Sequence, residues 1–211
     1  MKTPTLIGIS GRIHSGKDTT AKIIQLLETR KHYNLEIALE NFFMYERFSK
    51  WEIKKFAGKL KEIGGILTGV SPADFEDQDF KNQSMGPDWG NMTYRTFLQR
   101  LGTEAIRENI HPNAWVNALM ADYRPQKMSQ YNPSQWLITD VRFPNEAQAV
   151  IDNGGIMIRV ERGQDIVDPS TLHASETALD NWNFDHIIRN YGDLNKLEKE
   201  VKFFCDKYGL I

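Results

Sequence analysis

Cysteine is nearly absent: the 211 residues hold one, Cys205. A lone cysteine closes no disulfide within the chain and builds no cysteine-ligated zinc site. No apolar run reaches 18 residues, the length that reads as a membrane-crossing helix, so no membrane association is expected. Positive charge is not in excess either. Lys and Arg number 26 against 28 Asp and Glu, a formal net charge of −2. A dedicated nucleic-acid binder carries a basic domain, so that class is a poor fit, whereas a small anion needs only a local cluster of cations. Internal repeats and low-complexity tracts are also missing. The opening Met-Lys-Thr-Pro-Thr leads into an apolar stretch too short for a secretory signal, and a cytoplasmic protein is expected. What is present is 40% apolar and 26% charged residues, enough for a packed core of one domain, or of one domain with an insertion.

Strands and helices alternate along the chain. Thr5–Ser10 is an apolar run of buried-strand length, Gly11–Lys17 a glycine-punctuated loop, and Asp18–Arg30 a helix with Ala21, Ile24 and Leu27 at helical spacing. Leu35–Phe43 and Trp51–Ala57 read as further strands, and Lys59–Thr68 as a helix ending near Gly69. Ser71–Asn91 is an acidic surface excursion. Thr93–Asn109 is the clearest amphipathic helix: at about 100° per residue, Tyr94, Phe97, Leu98, Leu101 and Ala105 share one side, and Arg95, Gln99, Thr103 and Arg107 the other. Asn113–Asp122 is a short helix and Pro125–Pro133 a polar linker. Gln135–Thr139 is a strand ending at Asp140, Asn145–Asn153 a helix stopped by Gly154-Gly155, and Ile156–Val160 a strand. Phe184–Arg189 is a last strand and Asp193–Tyr208 a last helix. Such alternation predicts a parallel sheet covered on both faces.

The frame G-x-x-x-x-G-K spans Gly11 to Lys17 between an apolar strand and a helix, the context that gives it meaning. Glycines there let backbone N–H groups of Arg12, His14, Ser15 and Gly16 curl around a phosphate, and the helix N-terminus adds positive potential. Lys17 would bridge the β- and γ-phosphates of a nucleotide. The usual Ser or Thr after the lysine is replaced by Asp18, with Thr19 next. Asp18 approaches a magnesium ion directly or through water, and Thr19 is placed to bond the α-phosphate. The plainer alternative is a glycine turn with Asp18 at a helix start.

A second acid for the metal is expected at a strand end, and Trp136-Leu-Ile-Thr-Asp140 supplies it. If the strand persists, Asp140 and Arg142 point to the same side. The plainer reading is an exposed pair in a turn before Pro144. An acceptor for the phosphoryl group would meet Arg95, Gln99 and Arg107 on the polar face of the 93–109 helix, a face that is otherwise simply solvated. Lys59, Lys61 and Lys81 are ambiguous in the same way. Arg159, Arg162, His173 and Glu176 flank or lie in the irregular 162–183 segment, where a mobile loop would carry an arginine over the transferred group. Phe42, Phe43, Trp89 and Trp115 either stack on a base or belong to the core. Cys205 is assigned no chemistry.

These pieces together resemble the phage-type deoxynucleoside monophosphate kinases, a branch of the P-loop kinases. The matching stretches run in family order over nearly the whole chain: GRIHSGKDT at 11–19, KKFAGKLKEI at 54–63, FEDQDFK at 75–81 and RTFLQRLGTEAIRENIHPNAWV at 95–116. They continue with ITDVRFPNEAQAV at 138–150, GGIMIRVER at 154–162, HASETALDN at 173–181 and IIRNYGDLNKL at 187–197. The aspartate after the loop lysine is itself a habit of that family. The resemblance implies an α/β, three-layer P-loop kinase fold with a central parallel sheet, a helical nucleotide-binding insertion at about 42–112 and a lid at about 162–182. The core would then be 1–41, 113–161 and 183–211. It implies ATP and Mg²⁺ as cofactors and a 2′-deoxynucleoside 5′-monophosphate as acceptor, with a homodimer by analogy. It places Gly11, Arg12, His14, Ser15, Gly16, Lys17, Asp18, Thr19, Asn190 and Gly192 on ATP, and Lys61, Arg95, Gln99, Arg107, Trp115 and Arg142 on the acceptor. Lys17, Asp140, Arg142 and Arg162 carry the transfer, and Asp18 and Asp140 the metal. Two other readings remain open at this point. One is another small-molecule P-loop kinase, of the phosphomevalonate or dephospho-coenzyme A type; the other is a nucleotide-binding protein without turnover.

Overall fold

The computed structural model describes residues 3–34, 46–125, 134–163 and 177–211. The expected strand at 35–43, with Phe42 and Phe43, lies outside the described residues, as do His173, Glu176 and most of the expected lid. The chain divides into two compact units, Met1–Lys54 with Tyr123–Ile211, and Lys55–Asp122.

The first unit is built on five parallel strands. These are β1 (Leu6–Ser10), β2 (Trp51–Lys54), β3 (Gln135–Ile138), β4 (Ile156–Glu161) and β5 (His186–Arg189), in the order β2-β3-β1-β4-β5. Ile7 of β1 pairs with Leu137 of β3 on one side and Ile156 of β4 on the other. Every residue of β1 is buried, as a central parallel strand requires. Among the described residues three helices cover the sheet: α1 (Lys17–Tyr33), and two that follow β3 and β5. On one face Ile7, Ile9, Ile158, Val160 and Ile188 pack with Ile23, Ile24 and Leu27 of α1 and with Leu197, Val201 and Phe204 of the last helix, Leu194–Tyr208. Each fully buried aliphatic side chain there contributes about 1.5–3 kcal/mol. The opposite face meets the helix Pro144–Asp152, whose Val150 lies over Gly8 of β1. Cys205 sits in the first of these cores, where burial pushes its thiol up to about 12, so it stays protonated and inert. All five strands run one way, so the segments after Ser10, Ile138, Glu161 and Arg189 leave the sheet at one edge, where ligands of open α/β sheets bind.

The last helix fixes a pH dependence. His186 of β5 lies 5.2 Å from the Phe204 ring and 6.0 Å from Tyr208. Burial depresses its pKa first, and Lys207 and Arg189 depress it further against the opposing pull of Glu200. The folded state therefore binds fewer protons than the unfolded chain. This contribution to stability is present above the unfolded value of about 6.5 and is lost as pH falls below it. The melting temperature of His186→Phe should drop less between pH 7 and pH 5 than that of the parent; equal slopes would remove His186 from the account.

The second unit is helical. Its elements are α2 (Phe56–Thr68), α3 (Gln78–Lys81), α4 (Tyr94–Gln99) and α5 (Ala114–Met120), with a wider helical segment at Arg100–Glu108. Phe75, Phe97 and Leu98 form its core with Leu60, Phe80, Tyr94 and Leu101 around them. The unit's limits, 55 and 122, differ from the 42–112 expected for an insertion. Trp51–Lys54 pairs with Gln135–Ile138 and so belongs to the sheet, while Trp115 of α5 donates its indole N–H to the Gly102 carbonyl at 2.9 Å and ties α5 to the second unit. The strand expected at 51–57 accordingly stops at Lys54, and the helix expected from Lys59 begins at Phe56.

The 93–109 helix forms, capped by Thr93, whose hydroxyl accepts from the Thr96 amide, but it is α-helical only to Gln99. From Arg100 to Glu108 it is wound as a π-helix, with i→i+5 bonds. The smaller angle per residue turns Gly102 and Ile106 inward and leaves Ala105 exposed, against the expectation from a uniform α-helix. It also reverses the drift along Arg95, Gln99, Thr103 and Arg107: a four-residue step overshoots a turn in an α-helix and falls short of one here. Gly102 gives close approach to α2, since a Cβ there would lie 2.9 Å from the tip of the Leu60 side chain.

Candidate active site

The loop after β1 has the conformation its glycines predict. Gly11, His14 and Gly16 have φ of 150°, 61° and 99°, a run that ordinary side chains disfavour. Lys17 opens α1 and turns back across the loop, its ammonium donating to the carbonyls of Gly11 and Arg12 at 2.7 Å each. The loop is braced from β5: buried Asn190 donates Nδ2–H to the Ser15 carbonyl at 2.9 Å, and its backbone N–H goes to Glu161. Sequence reading placed Asn190 and Gly192 on the nucleotide mainly through backbone atoms; the Asn190 side chain holds the phosphate loop, and Gly192 is exposed. Ser15 is 2% exposed and its hydroxyl has no hydrogen-bond partner among the described residues.

Beside the loop lies a cavity of about 310 Å³, lined by Arg12, Ser15, Arg159, Glu161, Arg162 and Tyr191 among others. Arg162 Nη1 donates to the His14 carbonyl at 3.3 Å, so this arginine is at the phosphate loop. Tyr191 donates its hydroxyl to Glu161 at 3.3 Å. Among the described residues the lining brings together three guanidiniums, of Arg12, Arg159 and Arg162, and these suit it to an anion.

Asp18 and Asp140 lie in the same unit. Thr139 donates its hydroxyl to Asp18 Oδ1 at 2.6 Å, which ties the start of α1 to the end of β3. Strand β3 stops at Ile138 and residues 139–140 form a turn, so strand alternation does not set the directions of Asp140 and Arg142. The helix that follows fixes the backbone at Arg142: buried Glu146 accepts from the backbone N–H groups of Arg142 and Phe143 at 2.8 and 3.1 Å. Neither Thr139 nor Glu146 carried a sequence signal, because each acts on a residue reached only through the fold.

In the second unit a set of cations gathers around α3. Arg95 donates through Nε to Asn82 Oδ1 at 2.9 Å and through Nη2 to Gln78 Oε1 at 3.0 Å. Neutral amides thus orient this guanidinium without cancelling its charge. Lys61 and Lys55 share the carboxylate of Glu76. Lys81 is partly buried among them, and burial lowers its pKa first, then the neighbouring charges of Lys61 and Arg95. Lys55, Lys61, Lys81 and Arg95 thus gather around the single Glu76 carboxylate, while the Asp77 carboxylate is turned to the backbone amides of Asp79 and Phe80. Sequence reading had Lys61 and Arg95 here and left Lys81 undecided; Lys55, Gln78 and Asn82 were missed, since the short capped helix that collects them shows no periodicity. Gln99 is exposed and Arg107 partly buried on the wider helix. Trp115 drops out as a base-stacking residue: it is 4% exposed and its indole N–H is committed to Gly102. Trp89 packs edge-on against Phe97 at 5.4 Å, and Lys59 is held by Glu62 and Asp122.

The strand order, the phosphate loop at the end of the central strand and the acid at the end of β3 define a P-loop kinase fold. Within that class the comparisons are specific. The family model of deoxynucleotide monophosphate kinase matches residues 44–201, well over half of the chain, a stretch that begins after the phosphate loop. The chain belongs to the deoxynucleotide monophosphate kinase family, and its enzyme class is deoxynucleoside monophosphate kinase. It is 26% identical to the deoxynucleotide monophosphate kinase of Enterobacteria phage T4 over 245 aligned positions, 93% of this chain and 97% of the relative. It is 29% identical to the deoxynucleoside-5′-monophosphate kinase of Escherichia phage T5 over 118 residues, 53% of this chain and 45% of that relative, so the chain matches less than half of the T5 protein's length. Among solved structures, a dephospho-CoA kinase from Campylobacter jejuni aligns over 96% of each chain at 13% identity and a TM-score of 0.44, a distant likeness. No helix among the described residues is long and apolar enough to cross a membrane.

Proposed function

We propose that the chain transfers the γ-phosphoryl group of ATP to the phosphate of a 2′-deoxynucleoside 5′-monophosphate. An acceptor phosphate oxygen attacks Pγ, the bond from Pγ to the β,γ-bridging oxygen breaks, and its electron pair leaves on ADP. The attacking oxygen is already ionised, so no general base is needed, and catalysis is positioning and charge neutralisation. The first unit supplies the donor side: the loop N–H groups, Lys17 and Arg162. The second supplies cations for the acceptor phosphate: Lys61, Lys81 and Arg95, with Arg107 on the adjoining helix. The observation that carries this reading is Arg95, held in place by two neutral amides so that its full charge remains for an anion.

Asp18 and Asp140 are the residues that would hold magnesium. Their donor set with Thr139 is all oxygen, and one or two carboxylates with phosphates and water is the habit of Mg²⁺. When bound, the ion supplies charge neutralisation on the phosphate chain.

The test is ADP release with MgATP and a panel of deoxy- and ribonucleoside monophosphates. Release that depends on a deoxynucleotide is expected; release with none, despite measurable ATP binding, overturns the reading. Arg95→Ala should raise KM for the best acceptor about 10- to 100-fold, the range for a lost hydrogen bond to a charged group, with KM for ATP unchanged. An equal rise in both constants would remove Arg95 from the acceptor side.

A further inference from the structure

Beside two of the arginines that line the cavity, Arg12 and Arg159, lies a carboxylate that the proposed function does not use. Asp180 lies in a turn at 177–182, where the Asp180 amide donates to the Thr177 carbonyl and the Trp182 amide to that of Leu179. Its two oxygens serve two different arginines. Oδ1 accepts from Arg159 Nη2 at 2.6 Å, and Oδ2 faces Arg12 Nη2 at 3.6 Å. These two contacts are unequal. Arg159, within β4, is held on several sides: Nη1 donates to the Leu179 carbonyl at 3.2 Å, Nε lies 3.8 Å from Glu161, and the guanidinium lies 5.5 Å from the Phe184 ring. It is a strut that fixes the turn, and with it the carboxylate. Arg12 belongs to the phosphate loop and meets Asp180 through one terminal nitrogen only.

We infer that Asp180 is a positioning residue for the donor nucleotide: anchored by Arg159, it holds one corner of the Arg12 guanidinium and presents the rest of that fork to the phosphate chain. The inference rests on the reading of the loop as the ATP site. An arginine side chain loses considerable rotamer freedom when it is pinned, and a carboxylate that pins it beforehand removes part of that cost from binding. The fork geometry permits this, since five N–H donors let one guanidinium serve a carboxylate and a phosphate at once. Asp180 is not spent on Arg12 alone, so it need not be released for the nucleotide to bind.

The opposite sign is a real alternative. If Arg12 had to leave Asp180 to reach phosphate, the carboxylate would compete with ATP, and its removal would tighten binding. The experiment separates the two. Asp180→Asn keeps shape and an oxygen for Arg159 while removing the charge. ATP affinity is measured by calorimetry with the acceptor absent, alongside KM for both substrates, kcat and the melting temperature. Asp180→Asn is expected to weaken ATP binding about two- to fivefold, the range of a partly exposed ion pair, and less at high salt. KM for the acceptor and kcat should stay within a factor of two. In an Arg12→Ala background the same substitution should have no further effect on ATP affinity. Tighter ATP binding, unchanged binding, or an equal loss in the Arg12→Ala background would each overturn the inference. A variant with lowered melting temperature and both KM values raised would show a structural role only, and would overturn it as well. Failure of ATP to bind the parent protein would instead strike at the proposed function.

Discussion

Lys17→Ala is expected to lower kcat by at least 10²–10³-fold, the loss seen when one preorganised donor to a developing charge is removed. The expectation follows from where the ammonium lies. It reaches back over the loop to the Gly11 and Arg12 carbonyls, at the mouth of a run of positive φ angles that turns N–H groups toward one point. A phosphate cradled there would receive the lysine charge at short range, and no other lysine of the loop can replace it. The same two hydrogen bonds help to close the loop, so a modest loss of stability, of about 1–2 kcal/mol, should accompany the substitution. Melting temperature and the circular dichroism spectrum separate the effects: a folded, cooperatively melting variant with kcat reduced a hundredfold or more is the expected result. Activity within tenfold of the parent would end the assignment of the loop as the phosphoryl-donor site.

Gly11→Ala should be the most damaging small substitution in the first unit. Gly11 has φ of 150°, and a Cβ built on it would fall on the carbonyl oxygen of Val160 and within 2.6 Å of Ser15 Oγ. Val160 is in β4, whose register with β5 pairs it with Ile188, so its carbonyl cannot retreat without disturbing the sheet. Backbone strain and overlap together should cost about 2–4 kcal/mol, read as a fall in the urea midpoint, and ATP binding should weaken with it. Gly154→Ala is the control. Its φ is 77°, and a Cβ there meets nothing within 4 Å, so it carries backbone strain alone, about 1–2 kcal/mol. If both variants unfold at the same urea concentration, the close packing of the loop on β4 is not a determinant of stability.

The two substitutions also show how unevenly the chain announces its structure. Gly11, Gly16 and Lys17 are legible in sequence because a phosphate loop is local: seven consecutive residues and their flanking strand and helix suffice. The sheet is legible for a related reason. Parallel strands buried on both faces are runs of Ile, Leu and Val, and TLIGIS, WLI and IMIRV stand out against polar connections. Element ends were less legible. The helix after β2 begins at Phe56 and not at Lys59, because a lysine-rich first turn is indistinguishable from a loop until packing is known.

Arg95 and Trp115 mark the limit in opposite directions. Both are compatible with a binding role by composition. Arg95 acquires one from Asn82 and Gln78, which reach it across 13 and 17 residues of chain. Trp115 loses one because the wider turn of the helix at 100–108 lays the Gly102 carbonyl against its indole. That widening is invisible to any periodicity taken at 100° per residue, and it moved the inward positions from Ala105 to Gly102 and Ile106.

The amino-acid order therefore settled the phosphate loop, the succession of strands and helices, and the family. Each of these depends on contiguous residues or on the order of motifs along the chain. The tertiary structure alone assigned Thr139 to Asp18, Asn190 to the Ser15 carbonyl, and Asp180 to Arg12 and Arg159, pairs separated by 121, 175, and 168 and 21 positions. A short polar side chain has the same appearance in sequence whether it meets water or a buried carbonyl. Parallel strands are joined by long crossovers, so neighbours at the working edge of the sheet come from distant parts of the chain. Chemistry at that edge is written in contacts that only the closed sheet creates.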